Sequence, residues 1–170
     1  MIANVLRKIS AKTPVGLLRF FGNIWLPYLG AGIKILEASG DFRYCKVGLK
    51  RTWYNANYVG TQFGGSMYSM TDPFFMLMLI NNLGKDYIVW DKAAKIDFIK
   101  PGKTMLIAEF KIDQSLIDLI KEKTKNSEKY IFDLPIEIFD TDKNLIAKVE
   151  KTLYVRLKKD QRATVDVLNS

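Results

Sequence analysis

The chain contains no histidine. That removes Ser-His-Asp and Cys-His triads, histidine general bases and most zinc sites in one step. Catalysis must then rest on carboxylates, hydroxyls, lysines or backbone amides. There is one cysteine, Cys45, so no internal disulfide framework exists, which suits a reducing, cytoplasmic compartment. No uninterrupted run of about twenty apolar residues occurs. The richest stretch holds Leu17, Leu18, Phe20, Phe21, Ile24, Trp25, Leu26 and Leu29, but Arg19 and Pro27 interrupt it and Lys34 closes it. It reads as one or two amphipathic helices packed on the body of the protein, not as a signal peptide or a span. Peripheral contact with a membrane surface stays open. Linkers, repeats and low-complexity tracts are also lacking.

What is present is enough for one domain with a sizeable core: 170 residues, of which 48% are hydrophobic. The formal charge of +8 favours anionic partners. No recognition-helix or ribonucleoprotein motif accompanies it, so nucleic acid is not expected. Lys148, Lys151, Arg156, Lys158, Lys159 and Arg162 crowd towards the C-terminus, and a solvated strand face and tail accounts for most of them.

Residues 1–38 read as helical, with breaks near Pro14, Gly22 and Pro27. From Phe42 to Thr52 the residues alternate, with Arg43, Cys45, Val47 and Leu49 on one side, which predicts a first strand. A polar, glycine-bearing loop covers 55–64. Residues 65–83 then read as the main helix, apolar nearly all round and therefore buried, and ended by Asn82 and Gly84. Met67, Met70, Met76 and Met78 are core candidates whose pliability also suits an acyl tunnel. Strands are predicted at 87–99 and 104–112, joined by a Pro101-Gly102 turn. A short helix begins at Asp113-Gln114-Ser115. Two long strands, 129–139 and 145–157, are joined by the Asp140–Asn144 hairpin loop. A single hydrophobic helix must be covered by a sheet that curls around it. The pattern thus predicts an α+β domain, an antiparallel sheet of about five strands wrapped around a central helix, with extra N-terminal helices.

That architecture is the hotdog fold. Gly64-Gly65 at the start of the central helix and Asp72 within it resemble the PaaI-type acyl-CoA thioesterases, where His-Gly-Gly is followed by Asp nine residues after the His. Phe63 stands at the His position here, at the same spacing from Asp72. The longer string Asn57–Thr61, Phe63–Ser66, Thr71-Asp72-Pro73 and Val89-Trp90-Asp91-Lys92-Ala93-Ala94 looks closer still to a bacterial, thioesterase-like branch carried as a domain of unknown function. The resemblance covers roughly residues 42–157. It implies a hotdog domain at 39–160, an N-terminal helical extension at 1–38 and a tail at 161–170. It also implies a homo-oligomer, a dimer or a dimer of dimers, with acyl-CoA or another acyl thioester bound between protomers. No cofactor is implied, and coenzyme A enters only as part of the substrate.

Several residues are candidates for that chemistry. The amides of Gly64, Gly65 and Ser66 open the helix and would face the developing oxyanion of a thioester carbonyl. The rival explanation for the glycine pair is a tight turn and close packing. Asp72 is the candidate base or nucleophile, reaching the thioester carbonyl from the partner subunit and acting on water directly because no histidine is available. The family pattern implies a helix that begins at Gly65 and bends near Pro73, aiming Asp72 into the cleft. Alternatively, with Pro73 behind it, Asp72 is a helix N-cap. Asn57 is a candidate for positioning carbonyl or water, or else a turn residue beside Gly60. Phe63 would shape an apolar wall. Thr61, Ser66, Tyr68 and Ser69 supply hydroxyls near the helix start. In Trp90-Asp91-Lys92, Asp91 and Lys92 point to opposite faces of the strand, so one of them would face the cleft mouth. Trp90 and Lys92 are substrate-binding candidates, and Lys92, with Lys95 or Arg51, would meet a coenzyme A phosphate, unless it serves as an interface salt bridge or an edge charge. The competing function is a non-catalytic hotdog module that binds an acyl chain or lipid.

Overall fold

A computed structural model describes residues 15–158. The predicted break near Pro14 and the tail 161–170 lie outside that range, as do Lys159 and Arg162. In chain order the elements are α1 (Val15–Ile24), α2 (Leu26–Ala31), β1 (Ile33–Ala38), β2 (Tyr44–Leu49), α3 (Gly64–Ser69) and α4 (Phe74–Leu83). They continue with β3 (Tyr87–Phe98), β4 (Leu106–Lys111), α5 (Gln114–Thr124), β5 (Tyr130–Asp140) and β6 (Leu145–Leu157). Six antiparallel strands form one sheet in the order β1-β2-β4-β5-β6-β3. The sheet with its packed helices is the hotdog fold.

The strand predictions for β3 to β6 hold to within two residues, and the one for β2 runs three residues too far at its C-terminal end. In β2, the sides separate as the alternation requires: Cys45, Val47 and Leu49 are buried. Residues 33–38 depart from expectation. They form a sixth strand, β1, on the edge of the sheet and not the end of a helical extension. Ile33 and Ile35 point inward while Lys34 stays exposed, a period of two that a run of only six residues hides beside a helix. Helix α1 covers this edge. Asn23 donates from Nδ2 to the Ile35 carbonyl (3.2 Å) and accepts the Ile35 N–H on Oδ1 (2.7 Å). One side chain thus satisfies both backbone groups of an edge residue. Gly22 permits the approach, because a Cβ there would lie 2.6 Å from Ile35 Cδ1.

The main helix also differs from expectation: it is two helices. Pro73 has no N–H to donate and disfavours helical geometry at Asp72. Helix α3 accordingly stops at Ser69 and α4 starts at Phe74, with Thr71 Oγ1 bonding the Tyr68 carbonyl across the gap (2.8 Å). Helix α4 carries the burial: Phe74, Phe75, Met78 and Leu79 are in the core. The rings of Phe74 and Phe75 lie 5.0 and 5.2 Å from that of Phe110 on β4. Gly84 ends the helix at φ +87°, donating to Ile80 O. Asp113 caps α5 by accepting the Leu116 N–H (2.8 Å). Met67 and Met70 are buried with Met78, as the methionine reading expects.

Phe110 joins helix to sheet and is fully buried. Phe110→Ala is expected to cost about 3–5 kcal/mol of unfolding free energy, measured by urea denaturation against the parent chain.

Candidate functional site

The middle of the site is a lysine where the fold calls for a hydrophobe. Along β6 the inward row reads Ala147, Val149, Lys151, Leu153 and Val155. Lys151 is only 2% exposed. A buried ammonium is tolerable only if anions meet it, and two do. Asp72, at the break between α3 and α4, places Oδ1 3.0 Å from Lys151 Nζ. Asp91, the inward residue after Val89 on β3, places Oδ2 3.3 Å away. The Tyr68 ring adds a face 6.0 Å from the same nitrogen, within reach of a cation–π contact.

The two carboxylates are not equivalent. The Asp72 side chain is about half exposed (51%), while that of Asp91 is 16% exposed. Lys151 makes a well-formed hydrogen bond to Asp72, whereas both Asp91 oxygens are buried and receive none. Burial pushes the Asp91 carboxyl from 3.8 up to about 6. The nearby Asp72 carboxylate pushes the same way, and Lys151 opposes it. Two carboxylates and one ammonium thus meet at one point, and the drier acid, Asp91, holds its proton above the ordinary carboxylate range. Beneath them, the Tyr28 hydroxyl donates to the Asp72 backbone carbonyl. Burial raises the Tyr28 phenol well above its ordinary value, with the Asp72 charge second, so it stays a donor.

The glycine pair is at the other end of α3. Ser66 N–H donates to the Phe63 carbonyl (3.0 Å), so that amide is occupied, contrary to expectation, and Met67 N–H shares the same acceptor (3.1 Å). No acceptor among the described residues meets the amides of Gly64 and Gly65. Both glycines are also packing devices. A Cβ on Gly64 would meet the Phe98 ring at 2.9 Å, and one on Gly65 the Phe63 ring at 2.4 Å. Phe63 is 55% exposed, an apolar surface beside the glycine amides. Helix α3 has six residues, roughly 9 Å of rise. Gly65 and Asp72 therefore lie at opposite ends of one protomer's α3.

The remaining candidates fall in different places. Asn57 closes its own loop: Nδ2 donates to Thr61 Oγ1 (2.8 Å) and more weakly to Gln62 O, while Oδ1 accepts the Thr61 N–H (2.9 Å). This is the turn-residue alternative, and it takes up Thr61 as well. Ser66 is buried, Tyr68 is exposed on the side of Lys151, and Ser69 Oγ donates to Gly65 O (2.9 Å). Asp72 is not a helix cap; no side chain caps α4. Trp90 is exposed, and Lys92 is the extra, solvent-facing residue of a bulge between Asp91 and Ala93. Arg51 does not join it, since its guanidinium donates to Gly60 O and Lys103 O. Lys95 pairs with Asp97 instead (3.1 Å).

Lys151, expected among the solvated cations of the strand face, is buried instead. The signal was available: counted in register from Val149 and Leu153, position 151 falls on the apolar side of β6.

A family model described as "Domain of unknown function (DUF4442)" matches residues 16–155. The chain belongs to the DUF4442 family. No protein of curated function matches the sequence. Among solved structures, this DUF4442 chain resembles a Pseudomonas aeruginosa protein, PA5026, described as of unknown function and a probable thioesterase. Its TM-score is 0.75 at 14% identity, over 88% of this chain and 99% of that one. The PaaI protein of the Escherichia coli phenylacetic acid degradation operon gives 0.58 at 17% identity, over 88% and 94%. A Haemophilus influenzae thioesterase, HI1161, gives 0.59 at 13% identity, over 85% and 91%. At such identities the likeness establishes the fold alone. Among the described residues, no helix is long and apolar enough to cross a membrane.

Two outcomes follow for the charged cluster. A carboxylate whose folded pKa is raised stabilises the fold most below its unfolded pKa, and that contribution is lost as pH rises through the folded value. Asp91 therefore weakens the native state between about pH 4 and 6. Thermal unfolding of Asp91→Asn minus parent should become more favourable to the variant across that window and level off above it. Lys151→Met should destabilise the fold by about 3 kcal/mol at pH 8, the low end for a broken buried pair because Asp72 reaches solvent. The loss should shrink at pH 5, where Asp91 is protonated, as read by chemical denaturation at the two pH values.

Proposed function

We propose that this DUF4442 protein is an acyl-thioester hydrolase whose site is assembled from two copies of the chain. One observation carries the reading: a half-exposed carboxylate, Asp72, is clamped by a buried ammonium, in a fold that also presents two unpartnered amides at Gly64 and Gly65. The thioester carbonyl oxygen would sit against the Gly65 amide, where one good donor lowers the barrier by about 3–4 kcal/mol. Ser66 contributes packing and not an amide, because Phe63 O already holds its N–H. Asp72 removes a proton from water as the water oxygen bonds to the carbonyl carbon. The tetrahedral intermediate then collapses, the C–S bond breaks, and the proton on Asp72 passes to the departing thiolate. The products are a carboxylic acid and a free thiol, and Asp72 returns to its ionised form.

Lys151 supports this by holding Oδ1 of Asp72 in a fixed place while the side chain still meets solvent. The amide and the acid come from different subunits, since α3 separates them within one chain. Strand β3, twelve residues long on the open edge of the sheet, is the edge proposed to pair with its copy. A long edge with free N–H and C=O groups invites such pairing. It carries Asp91, Trp90 and the Gly64-packed Phe98, so pairing there brings both halves of the site to the seam. Acyl-CoA is the proposed substrate, with Trp90 and Lys92 at the mouth.

The exposed Phe63 ring beside Gly65 favours a second reading, acyl-chain binding without hydrolysis. Release of free thiol from a panel of acyl-CoAs separates the two. The parent is expected to turn over at least one substrate, and Asp72→Asn to lower kcat about a hundredfold or more with little change in fold. Equal rates for parent and variant remove Asp72 from the chemistry. Acyl-CoA binding without thiol release establishes the second reading.

A further inference from the structure

We infer that the face formed by α1, α2 and the 50–59 loop is a docking surface for an anionic lipid bilayer. The apolar content is the first ground. Helix α1 has no fully buried residue. Leu17, Phe20, Phe21, Ile24, Trp25 and Leu26 are all exposed, Leu26 at 78%. The loop adds Trp53 at 92% exposure, with Tyr54, Tyr58 and Val59 also open to solvent. Aromatic residues of this kind, mixed with aliphatics, suit the boundary between headgroups and acyl chains.

The pieces are joined. Asn55 Nδ2 donates to Ala31 O (2.9 Å), which fastens the loop to the end of α2. Trp25 lies 4.9 Å from the buried Tyr28, and Trp53 5.6 Å from Tyr54, between ring centroids. Between α2 and the loop runs a groove of about 240 Å³, lined by Leu29, Ile33, Lys34, Lys50, Thr52 and Tyr54. Thr52 Oγ1 is shielded from solvent and has no hydrogen-bond partner among the described residues. A hydroxyl without a partner, beside two lysines, suits the oxygens of an anionic headgroup.

Charge selects the occupant. Residues 15–36 contain Arg19 and Lys34 and no acid, and residues 50–59 contain Lys50 and Arg51 and no acid. Arg19, Lys34 and Lys50 form no ion pair among the described residues. A second copy docked face to face would set these cations against their own images, which opposes a symmetric contact. Single-stranded nucleic acid would use the cations and aromatics but leave Leu17, Ile24 and Leu26 in water. An anionic bilayer meets both requirements. This surface is built from elements other than the Asp72–Lys151–Asp91 cluster, so it stands or falls independently of thioester hydrolysis.

The test is sedimentation of the full chain with vesicles of phosphatidylcholine alone or mixed with phosphatidylglycerol. Binding is expected to need the anionic lipid and to weaken with salt. Lys34→Gln and Lys50→Gln should each reduce partitioning about fivefold, the equivalent of about 1 kcal/mol per basic residue at a charged surface. Trp25→Ser combined with Leu26→Ser should remove it. All four positions are exposed or lie on the rim, and circular dichroism confirms that the variants fold. Partitioning that ignores these substitutions overturns the inference. So does a shift of oligomeric state on Trp25→Ser/Leu26→Ser in gel filtration without lipid, which assigns the face to self-association. Tighter binding of a single-stranded oligonucleotide than of anionic vesicles overturns it as well.

Discussion

A single ammonium sits where the interior of the sheet would otherwise be continuous hydrocarbon. Lys151 occupies the inward row of β6 between Val149 and Leu153. Leaving it there without anions would cost several kcal/mol, whatever the rest of the core contributed. The two anions that answer it come from far apart in sequence: Asp72 from the break in the central helix and Asp91 from the edge strand β3. Satisfying one lysine therefore ties helix, edge strand and inner strand to one point. The helix break becomes useful here. An unbroken helix through 65–83 would have kept residue 72 inside a regular helical turn. Ending α3 at Ser69 and restarting at Phe74 frees Asp72 to reach Lys151 while still meeting solvent.

The same arrangement separates two kinds of group along α3. Unpartnered glycine amides are at its start and the carboxylates lie beyond its end, roughly 9 Å of helix apart. That separation is the ground for drawing the two from different protomers in the proposed chemistry. Strand β3 reaches both regions, since Phe98 packs on Gly64 and Asp91 faces Lys151. Pairing across that edge is the shortest route by which a second copy could supply the missing half. This is why the proposed chemistry and the proposed dimer are one claim and not two.

Much of the fold was legible because strands with one buried face carry a period of two and the central helix is apolar all round. The alternation across Cys45, Val47 and Leu49, the extent of β6 and the Asp113 cap follow from those patterns alone. Two features were not legible, for physical reasons. Strand β1 is six residues at an edge, with a bulge near Leu36 and a helix immediately before it, so no periodic signal had room to emerge. The helix break was visible as Pro73, but whether a proline kinks a helix or divides it depends on what Asp72 can bond to, and that partner is 79 residues away. In the site, Gly64 and Gly65 open α3, whereas Asp72 lies in the break beyond its end and not within one continuous helix. Asn57 looked equally polar but satisfies its own loop. Lys151 was recoverable from strand register, although its charge invited the reading of a solvated cation.

The absence of histidine gives the cluster its sharpest meaning. An imidazole carries a proton in either direction near neutral pH; a lone carboxylate beside an ammonium does not, because the ammonium favours its ionised form. A second carboxylate changes that balance. Asp91 sits in a drier place, shares the same lysine, and holds its proton up to about pH 6. The trio thus has a protonation step close to the range an imidazole would cover, built from residue types whose ordinary values lie far outside it. In the proposed hydrolysis Asp72 stays the group that touches water, while Lys151 fixes its position and Asp91 is the second acid beside that lysine.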